Sequence, residues 1–117
     1  MSERVERWKA AWESRDLERI VALYEPGATH ASKLVPRLYP EVGGFVLEGT
    51  ADIREYVRRG LERYKELRFE IASVTETEDR SAVEYRRHSN VDGHPAHVLE
   101  LIEWNGPRIR AVCVFHF

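Results

Sequence analysis

Glu100 stands in the run Val98-Leu99-Glu100-Leu101-Ile102-Glu103-Trp104, the most apolar acid-bearing stretch of the chain. Side chains of an extended strand alternate, so Val98, Glu100, Ile102 and Trp104 share one face, while His97, Leu99, Leu101 and Glu103 share the other. One face therefore carries a lone acid among bulky apolar groups. Burial there raises a carboxyl's pKa and makes it a proton donor near neutrality, whereas a neighbouring guanidinium favours the carboxylate again. Tyr85 and Arg87 lie on the preceding strand-like run, Ser81 to Asn90, with the same parity as each other. Glu100 thus has two readings: an acid available for proton transfer, or half of a buried ion pair with Arg87 that fixes shape.

Two histidines complete the candidate chemistry. His116 titrates near neutrality when unperturbed, which makes it a natural general base, and Glu100 would orient or relay its proton. Its other reading is a satisfied histidine beside a chain terminus. His30, flanked by Thr29 and Ala31, faces the same choice. His88, His94 and His97 flank a turn and are expected in solvent. No pair of histidines and acids follows the His-Glu-x-x-His pattern, so no metal is expected. Ser32 lacks the Gly-x-Ser-x-Gly turn of a hydrolase nucleophile, and neither a phosphate loop nor a dinucleotide fingerprint occurs, so no cofactor is implied.

These groups must be positioned by elements that the pattern marks. Ser2 can cap a first helix in which Val5, Trp8 and Trp12 share a face, and Ser14-Arg15 ends it. Asp16 caps a second, with Leu17, Ile20, Val21 and Tyr24 inward, before Pro26-Gly27 stops it. Ala28 to Ser32 reads as a short strand. Residues 33–48 are irregular, with Pro36, Pro40 and Gly43-Gly44 among apolar residues, which describes a loop packed over something or flexible above a cavity. Thr50 caps a third helix with Ile53, Tyr56, Val57, Gly60, Leu61 and Tyr64 as its apolar stripe. Leu67 to Thr77 is a long strand. Ser81 to Asn90, His94 to Trp104 and the last residues then form two hairpins, bounded by Asp92-Gly93 and Asn105-Gly106.

The 117 residues suit one domain spanning 1–117 with a single core. A 43% hydrophobic and 32% charged composition is that of a folded chain, and a formal net charge of -2 gives no reason to expect a nucleic-acid partner. Arg58-Arg59 and Arg86-Arg87 are each flanked by acids. Cys113 is the only cysteine, so no internal disulfide forms, and a packed thiol in a cytoplasmic protein is expected. No apolar run approaches a membrane span, and Met1-Ser2-Glu3-Arg4 opens no signal-peptide core, so no membrane partner is expected.

Helices first and long antiparallel strands after them give an α+β arrangement. The stretch from Val5 to Leu23, with Asp-Leu-Glu-Arg-Ile-Val-Ala-Leu-Tyr at 16–24, Gly-Ala-Thr at 27–29, Gly-Thr-Ala-Asp-Ile-Arg-Glu-Tyr at 49–56 and the closing Asn-Gly hairpin, resembles the NTF2-like superfamily. Ketosteroid isomerase and the SnoaL-like cyclases are members. The resemblance implies a cone-shaped fold, a curled antiparallel sheet wrapped around three helices of the N-terminal half, enclosing a deep apolar pocket. On it, the isomerase's general-base aspartate falls at Ser32, which cannot replace it. One oxyanion donor falls at Trp8 and the other at Glu100.

Steroid isomerisation is thereby disfavoured, and other acid–base chemistry stays open. By register, Tyr85, Arg87, Glu100 and His116 are expected to face this pocket, with His30 near its mouth and Tyr24 and Tyr56 on the helices. Trp8, Trp12 and Trp104 are core residues that also line it. A hydrophobic or aromatic small molecule is the implied ligand, with isomerisation, cyclisation or dehydration as outcomes and non-catalytic binding as the alternative. Leu99, Leu101, Ala111, Cys113 and Phe115 alternate away from the pocket with no helix left to cover them. They imply either a homodimer through the outer sheet face or a protein-interaction surface.

Overall fold

The computed structural model describes residues 1–117. The order is α1 (Glu3–Ser14), α2 (Leu17–Val21), β1 (Tyr24–Ala31), α3 (Val35–Leu38), a 3-10 turn (Pro40–Val42), β2 (Val46–Glu48), α4 (Thr50–Arg63), β3 (Leu67–Glu76), β4 (Arg80–Ser89), β5 (Ala96–Asn105) and β6 (Arg108–His116). The six strands form one curled sheet in the order β2-β1-β6-β5-β4-β3. All neighbours are antiparallel except β1 and β6, which run parallel, so the expected antiparallel sheet is mixed at this seam.

Helix α1 begins where Ser2 Oγ accepts the Val5 N–H, as its position predicts. It ends at Arg15, whose φ of 57° turns the chain toward Asp16, and Asp16 accepts from the N–H groups of Glu18 and Arg19 to start α2. Arg15 also donates from Nε to the Tyr64 carbonyl and from its terminal nitrogen to that of Leu61, at 2.8 and 2.7 Å. Those carbonyls at the end of α4 have no partner within their helix, so one arginine ties the α1–α2 elbow to α4. Glu13 reaches across from α1 to accept the Phe69 N–H at 2.8 Å, fixing α1 over the edge strand β3.

Three local expectations are corrected. Pro26-Gly27 does not stop a helix. It lies inside β1, where the register against β6 shifts between Tyr24 and Thr29, and Tyr24 is the first strand residue rather than the last of α2. Proline is tolerated at such an irregularity because no ladder hydrogen bond is needed there. Gly49, not Thr50, occupies the cap position of α4. Its φ of 88° favours glycine, and its N–H goes to the Ala28 carbonyl at 2.8 Å. Residues 33–48 are ordered by α3, the 3-10 turn and β2, which pairs with β1 through His30↔Leu47.

The second hairpin closes one residue later than expected. Asn105 pairs with Arg108, so Gly106-Pro107 is the two-residue turn, and Gly106 at φ 59° takes the position where a positive φ is required. The core lies between the concave sheet face and helices α1, α2 and α4. It includes Trp8, Ile20, Ile53, Val83, Val98, Ile102 and Ile109, all 0 to 1% exposed. No helix is long and apolar enough to cross a membrane.

Candidate functional site

Strand parity decides which side chains meet inside the cone. Val83 pairs with Glu100 and Glu100 with Val114, so the acid is laid down in the centre of β5 with apolar neighbours on both adjoining strands. It is 4% exposed. Two donors reach it: the Tyr85 hydroxyl donates to Oε1 at 2.7 Å, and the Trp8 indole N–H donates to Oε2 at 3.2 Å. The rings of Trp8, Phe69 and Tyr85 pack on one another with centroids 4.5 to 5.6 Å apart, so the donors are held in place by their own packing. Burial is the largest influence on Glu100 and raises its pKa to about 7. The two hydrogen bonds, and the more distant charge of Arg87, pull it down less strongly.

Arg87 does not pair with Glu100. Its Nε and terminal nitrogen hold both oxygens of Asp92 at 3.0 and 3.1 Å, and its guanidinium lies 5.1 Å from the centre of the Tyr64 ring. Asp92 is five residues away in the chain and is fixed by Ser89 Oγ at 2.7 Å, which makes it the nearer and better-held partner. Read as a turn residue in the sequence, Asp92 therefore removes the ion-pair reading of Glu100.

His116 lies beside Arg87, with Nε2 3.4 Å from its Nη1. A guanidinium only donates, so Nε2 is the acceptor and the ring proton of the neutral imidazole sits on Nδ1. Nδ1 is buried with no protein partner. Burial, followed by the charges of Arg87 and Lys33, lowers the His116 pKa to about 4. His30 is 4% exposed, and desolvation alone lowers its pKa to about 4. Its Nδ1 is 3.1 Å from the Tyr24 hydroxyl, and its ring packs 5.3 Å from that of Tyr56. Both histidines are therefore uncharged at neutral pH.

A cavity of about 80 Å³ opens between α4, α3 and the sheet. Its wall includes Glu100, Tyr85, His30, His116, Arg87 and Tyr56, together with Trp12, whose buried indole N–H has no partner. Three residues expected in the wall stand elsewhere. Trp8 sits behind Glu100 and holds it. Tyr24 sits behind His30. Trp104, 2% exposed, donates to Ser81 Oγ at 2.8 Å and is absent from the wall, because the helices close that end of the cone. Ser32 lines the cavity, and its Oγ accepts the Leu34 N–H at 3.1 Å.

The wall also holds Leu34 and Leu38 from the proline- and glycine-bearing segment 33–48, whose apolar content is the sequence signal for this placement. Lys33, Arg37 and Arg63 stand at the cavity's outer recess, and nothing in their local sequence marks them. His88 and His97 bond to Glu70 and Glu84 on the outer surface, at 2.8 and 2.6 Å. No group of three or more His, Cys, Asp or Glu side chains is arranged to hold a metal ion.

An α+β cone with a curled six-stranded sheet packed on helices defines the class. The model of the SnoaL-like domain matches residues 5–117, and the chain belongs to that family. Among solved structures it is similar to a SnoaL-like protein of unknown function from Burkholderia thailandensis, with 22% identity, a TM-score of 0.80, and coverage of 97% of this chain and 91% of that one. A candidate polyketide cyclase of Sinorhizobium meliloti gives 14% identity and a TM-score of 0.79, over 98% and 95% of the chains. A protein of Catenulispora acidiphila with a ketosteroid isomerase-like fold, in complex with trimethylamine, gives 18% and 0.76, over 98% and 85%. At these identities the likeness is one of fold. No curated protein sequence matches the chain.

Proposed function

We propose that the protein binds a hydrophobic or aromatic small molecule in this cavity and performs cofactor-free proton transfer on it, of the isomerase, cyclase or dehydratase type. The observation that carries the reading is Glu100: a buried carboxyl with a pKa of about 7 in the wall of an apolar cavity. The family's fold and its candidate cyclase relative support the same class.

In the proposed chemistry the substrate carbonyl lies against Glu100 and Tyr85. Neutral Glu100, or the Tyr85 hydroxyl, donates a hydrogen bond to the oxygen as negative charge develops on it. His30 supplies the base in the tautomer that carries its proton on Nδ1, 3.1 Å from the Tyr24 oxygen, where Nε2 takes a proton from the carbon beside the carbonyl. His116 keeps a positioning role, because Arg87 occupies the lone pair that a base would need. Glu100→Gln is expected to lower turnover by about 10²- to 10⁴-fold on a substrate found by screening cyclic ketones and enones. Unchanged turnover with altered ligand affinity would leave only a binding protein. One feature favours that second reading: both Glu100 oxygens already have internal donors.

The outer sheet face favours a homodimer, and the single cysteine suits a cytoplasmic setting. Leu101 and Phe115 are 41% and 45% exposed there, beside half-buried Leu99 and Cys113. Pairing this face with a second copy removes the apolar surface from water. Sedimentation at micromolar concentration is expected to give twice the 13.7 kDa chain mass, and a monomer mass contradicts the pairing.

A further inference from the structure

Outside the inner cavity lies a second recess of about 360 Å³, and Leu34, Leu38, Tyr64, Arg87 and His116 belong to both walls. The charged side chains of the outer recess are Lys33, Arg37, Arg63, Arg87 and Asp92. Asp92 is matched to Arg87, and the other three cations have no acidic side chain as ion-pair partner in a chain whose net charge is -2. No side-chain hydrogen bond or ion pair engages them. The arginines of α4 outside the recess behave otherwise: Arg54 pairs with Glu18, Arg58 with Glu55 and Glu62, and Arg59 with Glu41 and Glu55.

The unmet hydrogen-bonding groups have the same polarity. His116 Nδ1 and Trp12 Nε1 are the two buried side-chain polar atoms without a partner, and with His116 accepting from Arg87 both are N–H donors. A buried donor left unpaired costs about as much as a lost hydrogen bond, so each calls for an acceptor from outside the chain. Burial is the largest cause of the lowered His116 pKa, and the charges of Arg87, Lys33 and Arg37, opposed by Asp92, add a net positive field at this ring.

We infer that the ligand is an organic acid, with a compact apolar or single-ring body in the inner cavity and its carboxylate in the outer recess among Lys33, Arg37 and Arg63. This rests on the small-molecule reading above and names the class of molecule. The inner wall, where Glu100 is neutral below about pH 7, takes the uncharged body. The outer recess takes the anionic oxygens, with the His116 N–H as a further donor.

Benzoate and its neutral isostere benzamide separate the alternatives when titrated against the intact chain at low ionic strength and followed by amide chemical shifts. Benzoate is expected to bind at least about tenfold more tightly than benzamide, because three partly exposed ion pairs each contribute a few-fold. The triple variant Lys33→Gln, Arg37→Gln, Arg63→Gln is expected to remove that preference and leave benzamide binding unchanged. Its three positions are exposed and unpaired, so folding is unaffected. Equal binding of the two probes, or an equal loss for both in the variant, overturns the inference and leaves the cavity reading standing. Failure of both probes to shift any cavity residue at millimolar concentration overturns both.

Discussion

Glu100→Gln is expected to flatten the pH dependence of stability, with wild type losing about 3 kcal/mol relative to the variant between pH 4.5 and 8. The figure follows from a carboxyl whose pKa is 4.5 in the unfolded chain and about 7 when folded, at about 1.4 kcal/mol per unit. A raised carboxyl pKa means that the folded state binds the proton more tightly. The stabilisation is therefore complete below pH 4.5 and is lost as pH rises through 7. His30 acts in the opposite sense. Its lowered pKa, like that of His116, gives stability that is present above pH 6.5 and lost as pH falls through about 4, so these slopes partly cancel that of Glu100 in the raw wild-type curve. The difference between wild type and variant isolates Glu100. Urea unfolding at half-unit pH steps measures it, and parallel curves from pH 4.5 to 8 would contradict the buried-acid assignment.

Trp8→Ala is expected to cost about 3 to 5 kcal/mol, the range for removing a fully buried indole from a core. Trp8 is 0% exposed, packs on Phe69 and Tyr85, and supplies one of the two donors to Glu100. Trp8→Phe separates the two roles. It keeps most of the volume, so its cost is smaller, but it withdraws the N–H and lets the Glu100 pKa rise further above 7. Denaturant midpoints at unchanged slope read the stability term. A loss under about 1 kcal/mol for Trp8→Ala would mean that the helix–sheet seam at Glu100 is not packed as described.

Much of this arrangement is legible in the sequence because strand parity is a rigid rule. Once Val98, Ile102 and Trp104 are assigned inward, Glu100 follows, and the pairing across β4 and β6 brings Tyr85 and His116 to the same side. The α1 and α2 caps are equally local, since each depends on one side chain and the next turn. What escapes the sequence depends on contacts between distant segments. Pro26-Gly27 reads as a stop, yet β6 recruits those residues into a strand across an irregular register. Arg87 has acids in several directions, and only the fold of the loop after Ser89 selects Asp92 over Glu100. The three unpaired cations converge from the segment around α3 and the end of α4, over a recess that neither forms alone. Trp104 shows the opposite limit: its parity is right, but the cavity does not extend to its end of the strand.

The titration of Glu100 itself tests the central claim most directly. With the side-chain carboxyl carbon labelled and followed by NMR from pH 4 to 9, Glu100 is expected to titrate with a midpoint near 7. A midpoint at or below about 5, in the range of an ordinary solvated glutamate, would contradict a desolvated acid at the heart of the cavity.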